Sequence, residues 1–319
     1  MKPDLDFITI DNNRKLIEQL LRELVLEPRI NALKWSGITH QSPNIKIGYP
    51  GQHLASLVTG VKGSKTAARG DDLEDGTEVK SCSRIDQMDR CKDCKAPVAR
   101  TEKVCSDCGS SKIQRKDDSK WLFAIKSEND LKLLTQDVPR ILLILGDYPQ
   151  FKAEEYDTIR FQCFEIWMNS DRYQKFKNIM NNYYHNIYLV NKASNSKKTP
   201  APKNFWPYRY EFYLCNPILT FSCIATEAST HPNINIDRYI EPSANRREIE
   251  SILMPKYLLK PAEKELLKEH FGFKSDLEIP EWINESEREI LPLRETKSGF
   301  APKIPYSRKS VKKRRKKGK

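Results

Sequence analysis

The chain lacks any apolar run near the roughly eighteen residues that a membrane span requires. Its opening stretch, MKPDLDFITIDNN, lacks the basic start and apolar segment of a signal peptide. We therefore expect the cytosol, where disulfides are rare and the eight cysteines do not form a disulfide framework. No internal repeat is visible. Acids are missing from the last twelve residues, 308–319, which hold nine Lys or Arg. Such a block repels itself and cannot bury apolar surface, so residues 291–319 read as a basic, disordered tail. That tail can hold phosphates without sequence preference, or simply be solvated.

What is present is a polar but globular composition. The 319 residues carry 55 Lys+Arg against 43 Asp+Glu, a formal charge of +12, with 38% hydrophobic content. Removing the tail's nine cations leaves +3 for the rest. Positive charge of this kind points to a polyanionic partner, most simply nucleic acid.

Periodicity divides the chain into elements. Helices are expected at 11–26, ending at Pro28, and at 52–59, entered after Pro50-Gly51. Residues 60–83 read as a strand hairpin. Strands follow at 120–126, 140–146 and 158–168, with a helix at 128–135. A helix at 171–185, a strand at 186–191 and an exposed loop at 193–207 come next. Two strands are expected within 208–228, and helices at 245–257 and 261–271. The order suits an α/β or α+β core, a mixed central sheet flanked by helices, with an inserted module.

That module holds four cysteines. Cys91-Lys-Asp-Cys94 and Cys105-Ser-Asp-Cys108 are separated by ten residues, and Gly109 follows the last. Two such knuckles each present two thiolates to one tetrahedral Zn²⁺. Structural zinc coordinated only by protein leaves no position for a catalytic water, so the module is scaffold or binding surface. Cys82, Cys163, Cys215 and Cys223 stand in apolar contexts and read as buried small hydrophobes.

The most informative stretch is Arg69-Gly-Asp-Asp-Leu-Glu-Asp-Gly-Thr-Glu-Val-Lys-Ser81. Burying Leu73 and Val79 on one face sets Leu73 opposite Thr77 and Asp72 opposite Glu78. The loop is then Glu74-Asp75-Gly76, with glycine in the left-handed position of a three-residue hairpin loop. Strand alternation puts Glu78 and Lys80 on one face. Asp72, Glu78 and Lys80 thus converge, with Asp71 as the reserve acid. Two carboxylates and the Val79 carbonyl suit Mg²⁺, which takes oxygen ligands, and Lys80 can assist an attacking water.

Asp72 followed by Glu78-Val79-Lys80 resembles the PD-(D/E)xK nuclease motif, with Gly70-Asp71 where the usual proline would stand. The string RGDDLEDGTEVKSCSRIDQ, with the CxxC…CxxC insertion just after it, is similar to the MamI-type type II restriction endonucleases. The motif match spans about residues 50 to 125. The resemblance implies a restriction-endonuclease-like core that hydrolyses double-stranded DNA at a short recognition sequence with Mg²⁺. It also implies a homodimer, since a palindromic site mirrors a protein two-fold, and a cognate methyltransferase. Many members carry an acid or amide on the preceding helix, where this chain has Gln52 and His53.

The expected organisation is a nuclease core at 1–85 and 118–200, a zinc ribbon at 86–117, and a DNA-recognition or dimerisation region at 201–290. Arg84 and Gln87 follow the catalytic strand and are candidate DNA contacts, as are Arg209 in an aromatic loop and Arg246 and Arg247 near a helix start. The aromatics around Arg209, Phe205, Trp206, Tyr208 and Tyr210, read equally as core. His185 has no partner pattern and reads as a helix-end residue. Two alternatives stand beside the restriction enzyme: a repair or junction-resolving nuclease of the same fold, and a non-enzymatic zinc-ribbon DNA binder.

Overall fold

The structure is a computed structural model that describes residues 1–41, 43, 46–65, 72–195 and 197–294. Asp71 and the basic segment 308–319 lie outside the described residues.

Three helices lead the chain: α1 (Asn13–Leu21), α2 (Glu27–Thr39) and α3 (Gly48–Thr59). A π-turn at Arg22–Leu26 joins the first two. Pro28 does not stop the run as expected. It is the second residue of α2, directly after the π-turn, and the helical run continues through it. Pro50 likewise lies inside α3, in its first turn.

The catalytic-strand candidate is β1 (Glu78–Ser83). The ribbon follows as β2 (Asp89–Cys91), β3 (Pro97–Val98) and β4 (Ile113–Gln114), a three-stranded sheet in the order β3-β2-β4. Then come β5 (Trp121–Phe123), α4 (Glu128–Lys132), β6 (Arg140–Asp147) and β7 (Ile159–Trp167). Next are α5 (Gln174–Asn182), α6 (Leu189–Ser194), β8 (Lys203–Phe205) and α7 (Tyr210–Leu214). The chain continues with β9 (Ile218–Thr226), β10 (Asn233–Tyr239), β11 (Met254–Pro255), α8 (Pro261–Phe271), β12 (Trp282–Ile283) and α9 (Glu285–Glu289).

The central sheet is mixed and runs β1-β6-β7-β9-β10. β1 pairs with β6 in parallel, and the other pairings are antiparallel. Strand alternation in β6 divides its apolar residues between two cores. Leu142 and Ile144 join Leu54, Val58, Leu73 and Val79 on the side of α1 and α3. Ile141, Leu143 and Leu145 join Trp121, Phe123, Phe176, Phe205 and Phe212 on the other. The expected mixed sheet flanked by helices is therefore present.

Several elements differ from the sequence reading. Residues 186–191 are helical, because Tyr183, Tyr184, Ile187 and Tyr188 bury one helical face of a continuous run. Within 208–228 there is one strand, β9; the aromatic run before it forms α7, whose Tyr210, Phe212, Tyr213 and Leu214 are all buried. Core packing here overrides β-propensity. Residues 245–257 hold two 3₁₀ turns and a two-residue strand instead of a helix. Residues 201–290, read as a DNA-recognition or dimerisation region, supply β9 and β10 to the central sheet.

The ribbon is seated on the core by two arginines, Arg100, which is buried, and Arg115, which is half-buried. Arg100 lies over the rings of Tyr148, Phe151 and Tyr156, at 5.7, 4.9 and 5.1 Å from their centroids. Arg100 and Arg115 both pair with the buried Asp89, at 3.3 and 2.9 Å. Each cation thus meets both an anion and an aromatic face.

Candidate active site and metal centre

The hairpin before β1 closes as its burial pattern required. The Leu73 N–H donates to the Thr77 carbonyl at 3.2 Å, and the Gly76 N–H to the Leu73 carbonyl at 2.9 Å. Gly76 has φ +79°, the left-handed value that glycine adopts without strain. This turn brings the Asp72 carboxylate beside the start of β1. Its Oδ2 accepts the Val79 N–H at 2.7 Å. Its Oδ1 accepts from Gln52 Nε2 at 2.8 Å. On β1 itself the Lys80 ammonium donates to Glu78 Oε1, so the two residues expected on one face do meet.

Gln52 reaches Asp72 because α3 lies very close to β1. A Cβ at Gly51 would come within 3.1 Å of Ser81 Cβ and would collide with its hydroxyl. Only glycine permits this approach. His53, the next residue on α3, is exposed.

Burial raises the Asp72 carboxyl above its usual range. The Val79 N–H opposes the shift, the Glu78 charge adds to it, and Lys80 and Gln52 oppose it. The Asp72 and Glu78 carboxylates are close enough to repel, and a divalent cation between them would relieve that repulsion. Beside Glu78 and Lys80 opens a cavity of about 100 Å³, lined also by Phe123, Asp130, Leu134 and Val138. Asp130 is an acid the sequence marked only as part of a helix start; its Oδ2 accepts the Lys126 N–H at 2.8 Å.

In the ribbon, the Sγ atoms of Cys91, Cys94, Cys105 and Cys108 all lie within 4.8 Å of one another. The two knuckles repeat one another. Lys95 N–H returns to the Cys91 carbonyl and Gly109 N–H to the Cys105 carbonyl, at 3.2 and 2.8 Å. Lys95 and Gly109 share φ +69°. Backbone N–H groups of Cys94 and Asp93 draw the Cys91 thiol down to about 6 against desolvation. Cys94 rises to about 12: the Ala96 N–H favours its thiolate, but desolvation and three neighbouring thiols outweigh it. Four crowded thiols of this kind are compatible with Zn²⁺, which takes them as thiolates. Cys82, Cys163, Cys215 and Cys223 are buried apart from this cluster, as read.

The candidate DNA contacts separate into two groups. Arg246 is fully buried, donating to Glu165 and to the carbonyls of Glu241, Pro242 and Ala244. A side chain so placed does not reach DNA, which corrects the sequence reading. Arg84 is also buried, donating to Asp117 Oδ2 at 3.1 Å and to the carbonyls of Ser119 and Pro207. Gln87 is half-buried and accepts the Asp118 N–H at 3.2 Å. These two latch the chain as it leaves the ribbon. Arg209 and Arg247 are exposed. Phe205 and Tyr210 beside Arg209 are core residues. His185 is exposed, its ring set against Tyr184.

The family of MamI restriction endonucleases matches residues 34–257, which include both the hairpin and the ribbon. The Type II restriction enzyme MamI of Microbacterium ammoniaphilum is 36% identical over 86 residues, 27% of this chain and 28% of that protein. The aligned stretch thus spans less than a third of that relative. No solved structure matches.

Proposed function

The chain belongs to the MamI restriction endonuclease family, and from that membership we propose that it cuts double-stranded DNA at a short recognition sequence, hydrolysing phosphodiester bonds with Mg²⁺. The observation that carries the reading is the meeting of Asp72, Glu78 and Lys80 at the start of β1, with Gln52 bonded to Asp72.

Asp72, Glu78 and the Val79 carbonyl would hold the cation. When bound, Mg²⁺ supplies polarisation of the phosphoryl group and a lowered pKa for a nearby water. The remaining work falls to the chain's own groups. Lys80, anchored on Glu78, places a positive charge where negative charge develops on phosphorus, and orients the attacking water. The Val79 N–H and Gln52 fix both oxygens of Asp72. Water adds to phosphorus and gives up a proton to solvent, the bond to the leaving oxygen breaks, and that oxygen takes up a proton from solvent.

In the ribbon, Cys91, Cys94, Cys105 and Cys108 would hold a structural Zn²⁺. Arg209 and Arg247 remain as candidate phosphate contacts. We further infer a homodimer acting on a palindromic site, a cognate DNA methyltransferase, and action inside a bacterial cell.

A plasmid digest with Mg²⁺ tests the reading. The wild-type chain is expected to give discrete fragments. Glu78→Ala and Lys80→Ala are each expected to abolish cutting while DNA binding and the melting temperature hold. Cleavage that survives both substitutions refutes the site. Retained DNA affinity with no Mg²⁺-dependent cutting in the wild type would favour a zinc-ribbon binder instead.

A further inference from the structure

The hairpin that presents Asp72 and Glu78 is tied to the centre of the sheet by one buried arginine. Arg140 opens β6 and is 1% exposed. Its Nε donates to Thr77 Oγ1 at 3.0 Å and its Nη2 to Asp75 Oδ2 at 2.6 Å. Its remaining nitrogen, Nη1, lies 3.6 Å from Glu165 Oε1, and its plane lies over the Trp167 ring, 4.9 Å from the centroid. Glu165 in turn accepts from Trp167 Nε1 at 2.7 Å and from Arg246 at 3.2 and 3.3 Å.

The placement of these bonds matters. Asp75 and Thr77 both lie between Asp72 and Glu78. Asp75 Oδ1 also accepts the Thr77 N–H at 3.0 Å, so one carboxylate joins the turn's own hydrogen bond to the arginine fork. A lone three-residue turn would leave the separation of the two acids to its own stiffness. The planar guanidinium fixes two turn side chains in one plane against a buried carboxylate. A lysine cannot do this, because a single ammonium has no fork of fixed angle. Burying a cation is costly unless it is fully partnered, and here the partners are the hairpin and Glu165.

We propose that Arg140, acting through Asp75 and Thr77, is a positioning residue that sets the spacing of Asp72 and Glu78 and so their affinity for the divalent cation. The proposal rests on the reading of those two acids as metal ligands. Arg140 acts on the ligands from behind, through the turn side chains.

Two substitutions test it. Asp75→Asn keeps Oδ1 for the Thr77 N–H but removes the carboxylate facing Arg140. Arg140→Lys keeps the charge and loses the fork. Mn²⁺ alone is titrated into each full-length protein, with free Mn²⁺ read by electron paramagnetic resonance, and cleavage is followed against Mg²⁺ concentration. Both variants are expected to bind Mn²⁺ about tenfold to a hundredfold more weakly. Cleavage by Asp75→Asn should need correspondingly more Mg²⁺ and recover at high concentration. Its DNA affinity without divalent metal should match the wild type, while its melting temperature should fall because the buried Arg140 loses a carboxylate partner. Asp75→Asn that binds Mn²⁺ like the wild type overturns the proposal. So does Asp75→Asn that melts lower with unchanged Mn²⁺ affinity. If Arg140→Lys does not fold, Asp75→Asn decides alone. A wild-type chain that neither binds Mn²⁺ nor cuts refutes the metal reading itself, whereas a wild type that does both, beside an indistinguishable Asp75→Asn, refutes only the role of Arg140.

Discussion

Arg246 and Arg247 are neighbours in sequence and opposites in the fold. One is buried against Glu165 and three carbonyls; the other is exposed on a 3₁₀ turn. Glu165 is fully buried, and although desolvation works against it, Arg246 and Arg140 hold its carboxyl below the usual range. Removing Arg246 therefore leaves a buried carboxylate with Arg140 and the Trp167 N–H to offset its charge. Arg246→Ala is expected to cost about 3–5 kcal/mol of folding stability, read by urea denaturation. Arg247→Ala should leave the denaturation midpoint unchanged and weaken DNA binding with a shallower salt dependence. Equal stability losses in the two variants would refute the assignment. Nothing local in the doublet separates these two roles. The partner of Arg246 is 81 residues away, so its identity is a product of the sheet.

Among the elements, the contact of α3 with β1 has the sharpest consequence. Gly51 faces Ser81 on the strand that carries Glu78 and Lys80. Gly51→Ala would push the helix away from the strand, at about 1–3 kcal/mol, the usual range for overpacking. It should also slow cleavage, because Gln52 would lose its reach to Asp72. Adding Ser81→Gly should restore part of both, measured by melting and by single-turnover cleavage. A Gly51→Ala chain as stable and as fast as wild type would count against the packing argument. The elements themselves were unevenly legible. The hairpin loop at Glu74-Asp75-Gly76, the apolar run of β6 and the cysteine knuckles were read from sequence and are present. β10 was missed although Asn-Ile-Asn-Ile alternates at its start, and 186–191 was read as a strand. That segment is short and apolar. Its helical period shows only when Tyr183 and Tyr184, before it, are counted on the same buried face.

For the whole molecule, the ribbon and the core of the central sheet are joined at both ends. β1 runs into the ribbon, Arg84 ties its end to Asp117, and Arg100 and Arg115 seat the module on Tyr148, Phe151 and Tyr156. Removing zinc, by chelation or by Cys105→Ser, is expected to unfold the ribbon, lower the melting temperature and reduce cleavage together. Zinc content, melting and plasmid cleavage measured on the same samples check this. A zinc-free chain that melts and cuts like the wild type would separate the module from the core. The sequence by itself determined what short chain segments can settle: two CxxC turns that each present two thiols, and a three-residue loop that sets Asp72 against Glu78. Within each turn and within the loop, the groups are so close in sequence that local backbone geometry places them, while the two CxxC turns meet through the pairing of β2 with β4. Only the tertiary structure decided which arginines support the fold and which face solvent, that Gln52 reaches Asp72, and that Arg140 grips the hairpin 65 residues before it. Those contacts depend on which strand packs beside which, and that is set by burying two apolar faces of one sheet at once.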